Sequence, residues 1–163
     1  SNYQGFGSGI VVPDTGIAMQ NRGSGFTLQK GHPNEVAGGK RPFHTIIPGF
    51  ITELGEPRMT FGVMGGHMQH QGQVQMVHRI FDLKENPQAA SDAPRWHVTP
   101  EYKLALETGF DPQVASNLAQ RGHQVVMIEP NTDLFGGAQL IYRLPHGYCA
   151  ASDHRKEGLA SGF

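Results

Sequence analysis

Two adjacent glycines, Gly65 and Gly66, separate a segment typical of a strand, residues 57–64, from one typical of a helix, about residues 69–83. Glycines at such a turn adopt backbone conformations closed to other residues and let another group approach closely. The N–H groups of the turn and of the helix start favour negative charge, such as a developing oxyanion. A tight structural turn is the alternative, and a glycine pair taken alone more often indicates only that.

A second set of candidate residues lies before residue 50. Arg22 follows a predicted strand in a glycine-rich turn, where its planar guanidinium could bind a carboxylate, although a solvated arginine is the commoner outcome. His44 and Thr45 lie where a loop enters a strand, and they could donate to a ligand or cap the local backbone. Ser1 could act as an N-terminal nucleophile, or it is simply where the chain begins.

Nine histidines raise the question of a metal site. His67 and His70 lie beside the glycine pair, but no HExxH or carboxylate-paired pattern supplies further ligands. The sequence also contains no GxSxG, Walker or GxGxxG motif. We therefore expect no metal and no cofactor, and we interpret the charged run Asp153, His154 and Arg155 as structural.

Charge and composition narrow the class of protein. With 13 basic and 14 acidic residues the net charge is −1, which gives no electrostatic case for a nucleic acid or a membrane as partner. The 22 glycines and 11 prolines among 163 residues are typical of a chain with many turns and short strands. The single cysteine, Cys149, excludes an internal disulfide, and we expect it to be buried in a strand.

Apolar periodicity and turn residues predict an α+β fold whose strands come in groups between the helices. Asn86 and Asp111 each precede a proline, which is the pattern of an N-cap followed by the first helical residue. The apolar strands on either side of residue 55 are expected to be covered on both faces, and residues 27–39 to form an exposed loop. The predicted strands are residues 8–12 paired with 16–21, 44–52 paired with 57–64, 95–98, 102–107, 124–129, and 137–144 paired with 147–151. The predicted helices are residues 69–83, with Val74, Val77, Ile80 and Phe81 inward, 86 to before Pro94, and 111–121, with Val114, Ala115, Leu118 and Ala119 inward.

Eight short stretches, in one order and spread over the whole chain, together resemble the small subunit of the γ-glutamyltransferase (γ-glutamyltranspeptidase) family of N-terminal-nucleophile (Ntn) hydrolases. They are 6–13 (FGSGIVVP), 16–21 (GIAMQN), 39–42 (GKRP), 62–66 (GVMGG), 86–90 (NPQAA), 92–95 (DAPR), 135–139 (FGGAQ) and 151–153 (ASD). The resemblance implies the four-layered αββα sandwich of that family. It also implies that residues 1–163 are a single domain, forming most of the small subunit without the strand that bears the nucleophile.

The resemblance further implies a precursor that cleaves itself, after which an N-terminal threonine attacks an amide and forms an acyl-enzyme. That threonine lies upstream of the segment that matches Ser1, so the nucleophile is not in this chain. The expected partner is the large subunit of the same precursor, in a heterodimer or a dimer of heterodimers. The expected location is the cytoplasm, with a periplasmic or secreted enzyme as the alternative.

Residue roles follow from the resemblance position by position. Gly65 and Gly66 match the pair whose N–H groups form the oxyanion hole, and His44 and Thr45 match two serines that hold the substrate's α-carboxylate. Arg22 departs from the family's usual Gln or Glu and suits an anion better than an α-amine. Asn21 and Tyr3 complete the expected substrate-binding set, and residues 27–40 match the lid segment.

The expected substrate is a small amide that carries a carboxylate, because the sequence looks closer to the γ-glutamyltransferase-like acylases and the oxamate amidohydrolases. One alternative is a glutathione hydrolase or γ-glutamyl transpeptidase proper. An alternative of another class is a catalytically inert fragment or a relative that only binds a partner.

Overall fold

The computed structural model describes residues 1–129 and 133–162 and contains two compact units. The first unit is Ser1–Ile46, and the second begins at Ile47. The organisation of residues 1–163 as one domain stays a prediction. Within the described ranges, no helix combines the length and the apolar character that crossing a bilayer requires.

The first unit is built mainly from loops. Its predicted hairpin is present, because Val11 and Ala18 form an antiparallel bridge and neighbouring backbone groups hydrogen-bond at 2.9 Å. The prediction of two regular strands there is wrong, since the ladder consists of this one bridge. Ile10, Val11 and Ile17 are each more than half exposed, so little apolar burial is available to stabilise a longer ladder.

The segment that follows the hairpin is also irregular. Residues 27–39 are largely exposed, as predicted, and Thr27 bonds to both Asn34 and Val36 through backbone hydrogen bonds of 3.0 Å. The prediction of a strand from residue 44 is wrong for its first half, because regular pairing begins only at Gly49. Pro48 has no N–H to donate, which prevents the ladder from starting earlier.

The second unit contains two sheets and three α-helices among the described residues. The strands are β1 (Gly49–Glu53), β2 (Glu56–Met64), β3 (Trp96–Val98), β4 (Leu104–Glu107), β5 (Val125–Ile128), β6 (Gly137–Leu144) and β7 (Gly147–Ser152). The helices are α1 (Gln69–Val77), α2 (Pro87–Asp92) and α3 (Pro112–Gln120). The antiparallel sheet has the order β1-β2-β6-β7, and the smaller sheet β3-β4-β5 pairs β4 with β5 in parallel across α3.

The antiparallel sheet buries one face. Met59, Phe61 and Val63 of β2 are buried in the main core, while Thr60 and Met64 between and beyond them are exposed. Phe50 of β1 is also exposed. The prediction that both faces of β1 and β2 are covered is therefore wrong for this chain, because an apolar run shows that a strand can be buried twice but not that its own chain covers it.

The predicted helix after the glycine pair is confirmed, although it changes pitch along its length. A 3₁₀ turn, Gly66–Met68, leads into α1, and a π-helical segment, His78–Asp82, follows it. The predicted inward face is wrong at Val74, which is 61% exposed, and right at Ile80. The other buried apolar side chains on this segment are Met68 and Met76, because the changes of pitch rotate the buried stripe away from a regular helical register.

The two predicted N-caps are confirmed. The Asn86 side chain accepts hydrogen bonds from the N–H groups of Gln88 and Ala89, and Asp111 accepts one from Gln113. The predicted inward face of α3 is wrong at Val114 and Ala119, which are exposed, and right in direction at Ala115 and Leu118, which are half-buried, although no residue of this helix is fully buried. Cys149 lies in β7 as predicted, but it is half-buried rather than buried.

Glutamine side chains form hydrogen bonds to the backbone of one edge strand in each sheet, an arrangement that the sequence analysis does not predict. Gln75 accepts from the Trp96 N–H and donates to the Trp96 carbonyl, each at 2.9 Å, and Gln71 makes the same pair of bonds to Val98. Gln88 of α2 does this for Ser152 on β7. Each amide therefore replaces a neighbouring strand, which ties α1 to the small sheet and α2 to the large one.

Candidate functional site

The glycine turn lies at the junction of β2 and the helical segment, as predicted. Gly65 has φ 154° and Gly66 has φ 57°, both in the region that side chains rarely adopt. Among the described residues, neither glycine N–H donates a hydrogen bond. Two backbone N–H groups at adjacent residues and without protein acceptors can therefore stabilise an incoming negative charge.

The two glycines have different surroundings. A Cβ on Gly65 would lie 3.0 Å from the Cα of Gly136, so a side chain there requires one of the two backbone segments to shift. A Cβ on Gly66 would meet no atom of the described residues within 4 Å, so against these residues the cost of a side chain at Gly66 comes from the backbone conformation alone. Gly65 is thus packed against the protein, and Gly66 faces open space.

Arg22 opens a 3₁₀ turn, Arg22–Gly25, in the first unit and is held by neutral oxygen atoms. Its Nε donates to Thr45 Oγ1 at 2.7 Å, its Nη1 donates to the Ser1 carbonyl at 3.2 Å and to Gln20 Oε1, and its Nη2 reaches Ser1 Oγ at 3.5 Å. The Tyr3 ring lies 5.7 Å from the guanidinium carbon. None of these neighbours carries a negative charge, and no ion pair to Arg22 occurs within the described ranges.

Asn21 and Tyr3 form the frame around this arginine. The Asn21 amide donates to the carbonyls of Gln4 and Gly7 at 3.0 and 3.1 Å and accepts from the Gln4 N–H. The Asn21 side chain is therefore occupied by backbone groups. Tyr3 has φ 80°, a strained conformation for a tyrosine, and strain of this kind persists only where neighbouring contacts impose it.

The structure brings together most of the predicted substrate-binding residues. Tyr3, Arg22 and Thr45 form one cluster in the first unit, and Asn21, next to Arg22 in the chain, bonds to backbone groups of Gln4 and Gly7. His44 is exposed beside it. Gly65 and Gly66 belong to the second unit. The roles predicted for these residues stay predictions.

Two features near the glycine turn escape the sequence analysis. The first is His97 on β3, which is buried and whose Nδ1 has no hydrogen-bond partner among the described residues. Burial, followed by the nearby His70 and His67, lowers the pKa of His97 below its ordinary value. His97 is therefore neutral at neutral pH. No three His, Cys, Asp or Glu side chains of the described residues are arranged to hold a metal ion.

The second feature is a buried cluster of four charged residues, Arg95, Glu107, Asp153 and Arg155, whose side chains are at most 2% exposed. Arg95 Nη2 donates to Asp153 Oδ2 at 2.5 Å, and Arg155 pairs with both Glu107 and Asp153. The structural role predicted for Asp153 and Arg155 agrees with this burial. The sequence does not predict that Arg95 and Glu107 join them, because neither residue lies near Asp153 and Arg155 along the chain.

Comparison with known proteins places this geometry in a family. The sequence model of the γ-glutamyltranspeptidase family matches residues 1–163. The chain is 37% identical to the oxamate amidohydrolase proenzyme of Klebsiella pneumoniae and 35% identical to the glutathione hydrolase-like YwrD proenzyme of Bacillus subtilis, over all of its length and 32% of theirs. It thus spans about a third of these relatives.

A solved structure of high similarity is the cephalosporin acylase of Bacillus halodurans. The two chains are 45% identical with a TM-score of 0.91, over 100% of this chain and 31% of the acylase. This likeness confirms the predicted fold class, which is α+β of the Ntn-hydrolase type. The chain belongs to the γ-glutamyltranspeptidase family, as the resemblance of its sequence predicts.

Proposed function

We propose that this chain is the small-subunit part of an Ntn amidohydrolase that acts on a small amide bearing a carboxylate. Membership of the family supports the reaction class. The relatives named as an oxamate amidohydrolase and a cephalosporin acylase support an amide substrate. The substrate class rests on one observation in the chain itself, the surroundings of Arg22.

Arg22 is a half-buried cation without a carboxylate partner among the described residues. Thr45, Ser1 and Gln20 orient its guanidinium through neutral oxygens and leave its charge uncompensated. A substrate carboxylate supplies the missing charge, and an arginine–carboxylate hydrogen bond contributes about 1.5–3 kcal/mol. Oxamate has this chemistry, because its carboxylate is bonded directly to its amide carbon.

The proposed reaction has two steps, acylation of the threonine and hydrolysis of the resulting ester. The hydroxyl of a threonine outside this chain attacks the amide carbonyl carbon, and the carbonyl oxygen becomes an oxyanion that accepts hydrogen bonds from the N–H groups of Gly65 and Gly66. The C–N bond breaks, and the nitrogen leaves after taking up the proton from the hydroxyl. Water then attacks the ester, regenerates the threonine and releases the acid.

We propose that the partner is the remainder of the same precursor. The relatives are named as proenzymes and are about three times longer than this chain. Expression of the whole precursor should give two chains that copurify, one of which contains this sequence and begins with a threonine. Intact-mass spectrometry measures both termini, and a single uncleaved chain in an active preparation contradicts the proposal. The cytoplasmic location stays a prediction, which cell fractionation tests.

The test of the substrate class is Arg22→Gln in the whole processed protein. We expect kcat/KM for oxamate to fall about tenfold to a hundredfold, since a charged hydrogen bond is lost. A γ-glutamyl anilide, whose α-amino group Arg22 disfavours, should be hydrolysed no worse than before. Arg121→Gln removes an exposed arginine at the end of α3 and serves as the charge-matched control.

Three results would contradict parts of this proposal. If Arg22→Gln keeps the same preference between oxamate and the γ-glutamyl anilide, Arg22 does not bind the substrate carboxylate. Efficient γ-glutamyl hydrolysis by the unmodified protein, without hydrolysis of oxamate, favours the glutathione hydrolase alternative. A correctly processed protein that hydrolyses neither amide, and no other small carboxylate-bearing amide, favours the binding-only alternative.

A further inference from the structure

The buried charge cluster of Arg95, Glu107, Asp153 and Arg155 holds one particular stretch of backbone. Arg95 Nη1 donates to the carbonyl of Phe135 at 3.0 Å. Asp153 Oδ2 accepts from the N–H of Ala138 at 2.7 Å, and the Asp153 N–H donates to the Ala138 carbonyl at 3.1 Å. The cluster therefore holds the backbone of residues 135 and 138 by hydrogen bonds, and Gly136 and Gly137 lie between these two anchored residues.

The backbone of residues 135–138 packs directly against the glycine turn. Gly137 pairs with Met64 at the end of β2, and Gly136 adopts φ 68°. A Cβ on Gly136 would overlap the carbonyl oxygen of Met64, and a Cβ on Gly65 would lie 3.0 Å from the Cα of Gly136. Two backbone segments in such close contact cannot shift independently, so the position of residues 135–138 determines the position of Gly65.

The members of the cluster are joined to one another and to nearby backbone by many hydrogen bonds. Arg155 binds both oxygens of Glu107, Glu107 Oε2 also accepts from the Arg95 N–H at 2.9 Å, and the carbonyls of Ser91 and Ala93 accept further bonds from the two arginines. Two positive and two negative charges balance one another. Buried ion pairs add little net stability compared with apolar packing, but they fix geometry because each charge requires its partner in place.

We propose that Arg95, Glu107, Asp153 and Arg155 are positioning residues for the oxyanion-binding turn, acting through residues 135–138 on Gly65 and Gly66. The inference rests on the proposed function, because it gives these residues a catalytic consequence only if the glycine N–H groups stabilise the oxyanion. The cluster does not touch the substrate. Its contribution is to keep two N–H groups at a fixed place, where a small displacement weakens bonds to a developing charge.

The test compares Asp153→Asn with Glu85→Gln in the whole protein. Asp153→Asn keeps the size of the side chain but weakens the grip on Ala138, since a neutral amide replaces the carboxylate. Glu85→Gln weakens a different ion pair of the second unit, the partly buried pair with Arg79. The hydrogen bonds of Arg79 go to Glu85 and to the Pro94 carbonyl and not to residues 135–138. We expect kcat of Asp153→Asn to fall about tenfold or more with KM changed less than about twofold, and kcat of the control to be retained.

A second measurement does not depend on processing or activity. Hydrogen exchange followed by mass spectrometry on the precursor should show faster exchange in the peptides that contain Gly65 and Gly66 for Asp153→Asn, at a temperature where the protein is still folded. Glu85→Gln should leave these peptides unchanged. Equal exchange of these peptides in both variants overturns the positioning role, even if Asp153→Asn fails to mature. Exchange that is faster by the same factor throughout the second unit overturns it as well, because a purely structural contact would loosen the whole fold evenly.

Gly66→Leu separates the two levels of the hypothesis. If Gly66→Leu retains normal turnover, the oxyanion role itself is wrong, and the catalytic consequence proposed for the cluster is wrong with it. If Gly66→Leu loses turnover while Asp153→Asn keeps normal kcat and normal exchange at the turn, the oxyanion role stands and only the positioning role is refuted.

Discussion

Two arginines in this chain, Arg22 and Arg95, have opposite surroundings. Arg95 is fully buried and has a carboxylate at 2.5 Å, with backbone carbonyls as further acceptors. Arg22 is half-buried, and its acceptors are a hydroxyl, a carbonyl and an amide oxygen. A buried arginine whose charge is already neutralised belongs to the fold, whereas one that is oriented but not neutralised suits a charged ligand.

The regions around the two arginines differ in the same way. In the second unit, which contains Arg95, strands and helices bury a common apolar core, and the charged side chains of the cluster are buried as well. Around Arg22, the first unit has few buried side chains and relies on hydrogen bonds between side chains and backbone, such as those of Asn21. Loss of a contact near Arg95 should therefore affect stability first, and loss of one near Arg22 should affect ligand binding first.

The largest effect is expected from Arg95→Ala, which leaves Asp153 buried without its main counter-charge. Breaking a buried ion pair from one side destabilises by about 3–5 kcal/mol. Chemical denaturation of the whole protein measures this loss. Arg22→Ala is the matched variant, and we expect it to change the free energy of unfolding by less than about 1 kcal/mol. Equal losses in both variants would remove the distinction between the two arginines.

The next largest effect is expected from a substitution in the glycine pair. It tests whether a change in the second unit can reduce turnover strongly while reducing stability only slightly. Gly66→Leu has open space for its side chain but imposes a left-handed residue, so the fold should lose about 1–2 kcal/mol. Turnover should fall about a hundredfold or more, because one oxyanion donor is displaced. Steady-state kinetics and thermal unfolding of the same preparation measure both quantities.

Gly65→Ala is the control for this separation. Its Cβ would lie 3.0 Å from the backbone of Gly136, so it should destabilise more than alanine at Gly66. If alanine at Gly66 proves the more destabilising of the two, the open space described at Gly66 is wrong.

Local patterns in the sequence predict the parts of this structure that depend on local interactions. The strand, glycine turn and helix around Gly65 follow from apolar periodicity and glycine conformational freedom, and the caps at Asn86 and Asp111 follow from side chains that bond two residues along the chain. The family resemblance adds roles to these positions, which physical patterns alone leave ambiguous.

Long-range interactions mark the limit of prediction. The members of the charge cluster are joined across 12, 48 and 58 residues, and no periodicity relates such positions. The glutamines that close the sheet edges look like ordinary surface residues in a helix. The prediction that both faces of β1 and β2 are covered is wrong because an apolar sequence indicates that a surface can be buried, not which chain buries it.

The acid stability of the fold should depend on Asp153. Burial raises the pKa of this carboxyl, but the Ala138 N–H and the charge of Arg95 outweigh burial and lower the pKa below its ordinary value. A carboxyl with a lowered pKa stabilises the folded state above its unfolded pKa, about 3.9, and this stabilisation is lost as the pH falls toward the folded value. In Asp153→Asn the difference in unfolding free energy from the unmodified protein should shrink below about pH 4. Denaturation curves at several pH values measure it, and a difference independent of pH would contradict the assignment.

The smallest effect on stability is expected from replacing His97, which is buried on β3 in its neutral form and needs no counter-charge. Burial is the main cause that lowers the pKa of His97. The nearby His70 and His67, on the helical segment packed against β3, lower it further. A histidine with a lowered pKa destabilises the folded state once the pH falls below the unfolded value of about 6.5, and the loss is complete below the folded pKa. Replacing His97 with glutamine should therefore remove part of the fall in stability that begins below about pH 6.5, while leaving stability at pH 8 within about 1 kcal/mol. Replacing exposed His78 with glutamine is the control, and a variant of His97 with the same pH dependence as this control would show that His97 is not protonated at a cost in the folded state.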